Sequence, residues 1–160
     1  MKIAIISDTH NRYDSVERAV KLIDYFNVEL TIHCGDIEDA DTVWLFQPNT
    51  HFVFGNCDIE KTSLRQAIHG IGATLHEPYG SLELGETKIA FLHGHVQEDL
   101  DDLEWMDHYD YIFHGHTHVA GERQRGKTRI INPGALHRVS TKTFAILNLP
   151  TGELESYEVK

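Results

Sequence analysis

The run KIAII at residues 2–6 is apolar at four consecutive positions, not at alternate ones, and it stops at Ser7 and Asp8. A strand apolar on both sides has to be covered on both sides, which places it inside a layered α/β structure. The next segment, SVERAVKLIDYF, sets Val16, Ala19, Val20 and Ile23 on one helical face, with Asp14 or Ser15 available as N-cap. ELTIHCGD then reads as a second strand, residues 40–46 as a short helix and HFVFGNCD as a third strand. Strand and helix alternating in this way predict parallel βαβ units with right-handed crossovers.

The second half has a different grammar. GSLELGETKIAFLHGH reads as a hairpin turning at Gly85-Glu86, and residues 98–107 as a helix. DYIFHGH, VAGERQ, TRIINPG, TFAILNLP and GELESYEV follow as strands joined by tight turns, which predicts a second, mostly antiparallel sheet. No repeat, low-complexity stretch or linker divides the chain, so residues 1–160 are read as one domain. The expected architecture is an α/β sandwich of two sheets with helices outside.

The strand ends carry the chemistry. Asp8 and His10 follow the first strand, Asp36 the second, Asn56 the third, His93 follows IAFL, and His116 and His118 follow YIF. In α/β sheets the carboxyl ends of parallel strands share one edge, so these seven residues are expected to converge although they span more than a hundred positions. Gly35, Gly55, Gly94 and Gly115 stand beside them, where the backbone must turn or approach an ion closely. Taken singly, each Asp or Asn is an ordinary cap or turn residue and each His an ordinary solvated side chain. The joint placement is what points to a site. Two carboxylates, an amide and four imidazoles suit Mn²⁺, Fe, Ni²⁺ or Zn²⁺ better than Ca²⁺ or Mg²⁺. Seven donors exceed the needs of one tetrahedral ion, whereas two ions about 3.5–4 Å apart and sharing a carboxylate would use them all, with room for a bridging hydroxide. Two divalent transition ions are therefore the expected cofactors, with Mn the first candidate and Ni, Fe or Zn the others.

Composition narrows the partners. The formal net charge of −11 repels a phosphate backbone, so duplex nucleic acid is not an expected partner. No apolar run approaches the roughly 20 residues of a membrane span, MKIAIISDTH does not have the form of a signal peptide, and Cys34 and Cys57 make no disulfide scaffold. A cytoplasmic protein with no membrane contact is expected, and a homo-oligomer is compatible with the sequence. GERQRGKT, residues 121–128, matches the phosphate-loop pattern letter for letter. Its context is wrong: TRIINPG behind it is β-like and ends at Pro133, so Gly126-Lys127 reads as a hairpin turn with Glu122, Arg123 and Arg125 as solvated charges.

The ordered motifs DTH, GD, GNCD, HGH and GHTH resemble those of the calcineurin-like metallophosphoesterase superfamily, and their spacing resembles its small prokaryotic YfcE-type phosphodiesterases, over residues 3 to about 149. The resemblance implies a four-layer αββα sandwich of two mixed β-sheets and hydrolysis of a small phosphodiester. It also implies one ion on Asp8, His10 and His118 and a second on Asn56, His93 and His116, with Asp36 bridging. His114 is then structural, and His95 borders the substrate. Where many members carry a histidine after the Asn, this chain has Cys57, a weak hydrogen-bond donor, so Asn56 and Cys57 are the catalytic candidates and the general acid is in question. The alternative is a non-catalytic binding scaffold of the same fold, like the retromer subunit; all seven donors being present weighs against it.

Overall fold

A computed structural model describes residues 1–160. The first half runs β1 (Lys2–Ile6), α1 (Tyr13–Tyr25), β2 (Leu30–His33), α2 (Ala40–Val43), β3 (Thr50–Val53), α3 (Lys61–Gly70) and β4 (Thr74–His76). The second half runs β5 (Gly80–Leu84), β6 (Thr87–Phe91), α4 (Gln97–Trp105), β7 (Tyr111–Phe113), β8 (Gly121–Arg125), β9 (Thr128–Asn132), β10 (Thr143–Asn148) and β11 (Glu153–Glu158).

The strands form a six-stranded sheet, β11-β10-β1-β2-β3-β4, and a five-stranded sheet, β5-β6-β7-β9-β8. Within the first, β1 to β4 pair in parallel, while β10 pairs antiparallel with both β1 and β11. Alternation along β1 explains the consecutive apolar run. Ala4 and Ile6 join a cluster with Val16, Val20, Val43, Leu64 and Ile68 of α1, α2 and α3. Ile3 and Ile5 point the other way and meet Ile89, Phe91, Phe113 and Ile131 of the second sheet. The outer face of that sheet buries Ala90, Ile112 and Ile130 against Leu100 and Leu103 of α4. The order helices, sheet, sheet, helix is the four-layer αββα sandwich expected.

Details of sheet pairing and helix ends differ from the sequence reading, and α3 and β4 lie in a stretch it left unassigned. TFAILN and ELESYE, expected in the second sheet, complete the first, with Lys2 paired to Asn148 and Ile5 to Ala145. The reason is burial on both faces of β10: Phe144 and Ile146 face the helices, Ala145 and Leu147 the other sheet. The second sheet is mixed rather than mostly antiparallel, since β7 pairs in parallel with both β6 and β9. Neither Asp14 nor Ser15 caps α1, because the helix starts at Tyr13 and Ser15 turns inward to accept from Lys142 Nζ at 2.8 Å. The 40–46 helix stops at Val43, where Leu45 N–H and Phe46 N–H reach back three residues and tighten the turn.

The hairpins turn where expected. Leu84 faces Thr87 across Gly85-Glu86, and Arg125 faces Thr128 across Gly126-Lys127, so the phosphate-loop look-alike is two strands with no helix behind it. Its charges are not simply solvated, however. Arg123 makes a two-pronged ion pair with the buried Glu104 of α4, Glu122 pairs with Arg129, and Arg125 lies over the Trp105 ring at 3.3 Å. Glu104 could not be buried without that guanidinium.

Candidate metal centre

Asp8 and Asp36 sit where β1 and β2 end, and the loops that carry them are locked together by Asp8 N–H to Gly35 C=O and His10 N–H to Asp36 C=O, both 3.0 Å. The backbone there is strained. Asp8, His10, Asp36, Glu38, His116 and His118 all have positive φ, between 44° and 76°. Such conformations cost non-glycine residues of order 1–3 kcal/mol each and persist where the surroundings over-determine them, most often at functional sites.

The strain aims side chains at one place. Asp8, His10 and His118 bring donor atoms within 4.8 Å of one another, and so do Asp8, Asp36 and His93. His118 Nε2 is 3.2 Å from Asp8 Oδ1, and Asp36 Oδ2 stands 3.5 Å from His10 Nε2 and 3.4 Å from His93 Nε2. Asn56 Oδ1 approaches His93 Nε2 at 3.1 Å. His116 is not in either group: its backbone N–H donates to Asp8 Oδ2 at 3.0 Å, and its exposed ring packs edge-on against His93 at a centroid distance of 5.2 Å. His95 is exposed at the rim, 5.4 Å from the His93 ring. His114 joins no donor group and lies beside the Gly115 carbonyl and Asn132.

Hydrogen bonding decides which imidazole nitrogen faces inward. His93 Nδ1 meets the Cys34 carbonyl at 2.8 Å, so Nδ1 carries the proton and Nε2 turns a lone pair toward two more acceptors, Asp36 Oδ2 and Asn56 Oδ1. His10 repeats the pattern: Nδ1 donates to Glu38 Oε1 at 2.7 Å and Nε2 faces the carboxylates. Asp8 Oδ1 and His10 Nε2 are buried with no hydrogen-bond partner. Lone pairs converging without a donor require a cation, either a proton or a metal ion. The same pressure appears in the titration of the site. Burial alone would lower the His93 pKa, but Asp36 and Asp8 raise it overall. Burial alone would raise Asp36, yet His93 and the Cys57 N–H hold it well below the usual carboxylate range. The donor set thus fits divalent transition ions.

Close packing leaves the cradle no slack. A Cβ on Gly55 would come within 2.1 Å of Asp36 Oδ1, and one on Gly115 within 1.8 Å of Ser7 Oγ and 2.6 Å of Asp8 Oδ2. A side chain at either position would have to displace the Asp36 or Asp8 carboxylate.

Two contributors escaped the sequence reading. Asp58, fully buried, accepts four backbone N–H groups, from Asp36, Ile37, Glu38 and Gly55, at 2.7–2.9 Å. It ties the loops carrying Asp36 and Asn56 into one body; burial raises its pKa and those amides oppose the rise. Glu38 orients His10. The sequence signal for each was an acidic residue two positions beyond a proposed ligand, Asp58 also closing the GNCD motif. Cys57 donates its backbone N–H to Asp36 Oδ1 at 2.8 Å, and burial together with Asp36 pushes its thiol up to about 11.

Known proteins bear on this arrangement. A phosphodiesterase of Methanocaldococcus jannaschii is 31% identical over 138 residues, 84% of this chain and 83% of that protein. A solved archaeal phosphodiesterase superposes with a TM-score of 0.91 at 28% identity, covering 99% of each chain. At 16% identity, Vacuolar Protein Sorting 29 of Cryptosporidium parvum shares the fold with a TM-score of 0.63, covering 98% and 95%. Residues 1–152 match the calcineurin-like phosphoesterase superfamily domain, and the chain belongs to that family.

Proposed function

We propose that this protein is a metal-dependent phosphodiesterase whose substrate is a small phosphodiester. The observation that carries the reading is the set of inward lone pairs on His93 Nε2, Asn56 Oδ1, Asp36 Oδ2, Asp8 Oδ1 and His10 Nε2, which have no donor among them. Asp8, His10 and His118 would hold one ion, Asn56, His93 and the His116 ring the other, and Asp36, which faces both His10 and His93, would be shared. When bound, such ions, Mn²⁺ foremost, neutralise charge on phosphoryl oxygens and lower the pKa of water toward neutrality.

The chain's own residues supply position. Glu38 and the Cys34 carbonyl fix two imidazole tautomers, and Asp58 holds the Asp36 and Asn56 loops in register. Hydrolysis adds water across one P–O ester bond, releasing an alcohol and a phosphomonoester. Cys57, protonated at neutral pH, is a poor proton donor to the departing oxygen, so rates should follow leaving-group acidity. The scaffold alternative shares the fold but gives no reason for unpartnered buried acceptors such as Asp8 Oδ1 and His10 Nε2. Metal analysis after saturation with Mn²⁺ tests the reading: two ions per chain are expected, with 4-nitrophenyl diesters cleaved faster than 4-nitrophenyl phosphate. A stoichiometry that never exceeds one contradicts it.

A further inference from the structure

Beside the metal corner lies a cleft of about 180 Å³ that no metal donor other than His93 lines. Its walls are Phe54 at the end of β3, Pro78 and Tyr79 in the loop before β5, and Leu103 and Met106 at the end of α4. These come from both sheets and from an outer helix, so the cleft exists only in the assembled sandwich. Large apolar side chains are left uncovered at its mouth, with Tyr79 39% and Met106 59% exposed. Exposed apolar surface gathered around a concavity marks a binding site more often than chance exposure does. Its size is sufficient for an aromatic ring, since an apolar cavity of about 150 Å³ holds benzene.

The floor and the rim fix how a ligand would lie. His93 and Gly94 form the end nearest the metal donors, and Asp99 and Asp102 also line the cleft. Two carboxylates repel a second anion, so the occupant has its negative charge at the metal end and none in the cleft. A neighbouring, more open cleft lined by Asn56, Ile59 and Lys61 shares Phe54, Pro78, His95, Val96 and Asp99 with the first. A diester has two arms, and His93 of the first cleft and Asn56 of the second stand 3.1 Å apart, Nε2 to Oδ1.

Building on the phosphodiesterase reading, we infer that the Phe54–Tyr79–Met106 cleft is a subsite for an uncharged aromatic arm of the substrate. The arm lies flat between Tyr79 and Leu103 with its phosphoester oxygen toward His93. Two diesters with the same leaving group, bis(4-nitrophenyl) phosphate and methyl 4-nitrophenyl phosphate, separate arm recognition from bond cleavage. In Met106→Asp and in Tyr79→Ala, both at exposed positions, the aryl-to-methyl ratio of kcat/KM should fall about tenfold from the unmodified protein, the scale of one apolar pocket contact. Intrinsic reactivity cancels in that comparison. Cleavage of both esters with a ratio unchanged in both variants would overturn the subsite and leave the phosphodiesterase reading intact. A second readout needs no catalysis. The chain has two methionines, Met1 and Met106, so methyl-¹³C labelling gives two resonances. Titrating the metal-free protein with neutral 4-nitrobenzyl alcohol should move the Met106 resonance and leave that of Met1 in place. If Met106 does not move, the subsite is wrong whatever the activity; if it moves while neither ester is cleaved, the cleft stands and the phosphodiesterase reading fails.

Discussion

Replacing Asp58 by Asn changes one atom and tests how the site is held together. The carboxylate accepts Ile37 and Glu38 N–H on Oδ1 and Asp36 and Gly55 N–H on Oδ2. Asparagine keeps one of those oxygens and turns the other into an NH₂ group, which sets a donor against two buried donors. Leaving a buried polar group unsatisfied costs about 1–3 kcal/mol, so two of them predict a loss of about 2–6 kcal/mol. A whole domain of this kind has only about 5–15 kcal/mol of stability, which makes the change large whichever end of the range applies. Urea unfolding at pH 7.5 in the presence of a chelator measures it free of any contribution from bound metal. Mn²⁺ binding should weaken as well, by about 10- to 100-fold, because the loops carrying Asp36 and Asn56 lose their common anchor. A loss below about 0.5 kcal/mol, the range of an ordinary surface change, would show that the four hydrogen bonds do not organise these loops.

Gly115→Ala should lower metal affinity more than stability, because its methyl group can be accommodated only by displacing Ser7 and Asp8; calorimetric titration with Mn²⁺ against the unmodified protein decides it. The His51–His76 pair, 2.8 Å apart, should make stability fall in acid. Burial lowers both pKa values, and His76 lowers that of His51 further, so the folded state binds protons less readily than the unfolded one. Their contribution is complete above about pH 6.5, the unfolded value, and is lost as pH falls through the depressed folded values; urea midpoints at pH 7.5 and 5 should differ less in His51→Leu than in the unmodified protein. Cys57→Ala should keep most of the activity, whereas Asp36→Asn should abolish it; equal inactivity with two ions still bound would give Cys57 a role denied to it here. Lys127→Ala, in a hairpin turn where its ammonium faces Asp110 at 3.5 Å, should change neither activity nor ATP binding, the latter being undetectable in both forms.

The sequence by itself settled the order β1-α1-β2-α2-β3, because a run such as KIAII has only one kind of place to go, and it settled the two hairpin turns, because Gly85 and Gly126 supply positive φ where each strand pair reverses. It also placed Asp8, His10, Asp36, Asn56, His93, His116 and His118 at strand ends, where strand polarity brings chain segments together; of these, Asp8, His10, Asp36, His93 and His118 share donor groups, Asn56 meets His93, and the His116 ring lies beside His93 outside them. Helix α3 was legible but unread: Leu64, Ala67 and Ile68 have helical spacing, in a segment with too few apolar positions to stand out. Sheet membership of β10 was not legible, because antiparallel pairing with β1 is decided by which faces remain uncovered once both sheets exist. The same holds for Asp58 and Glu38. An acidic residue in a loop looks solvated until folding surrounds it with amide donors or sets an imidazole against it, and neither partner is local enough in sequence to announce the contact. The cleft beside His93 is a still clearer case. Phe54, Tyr79 and Met106 are unremarkable apolar residues in three unrelated segments, and only the packing of two sheets and an outer helix makes them walls of one space.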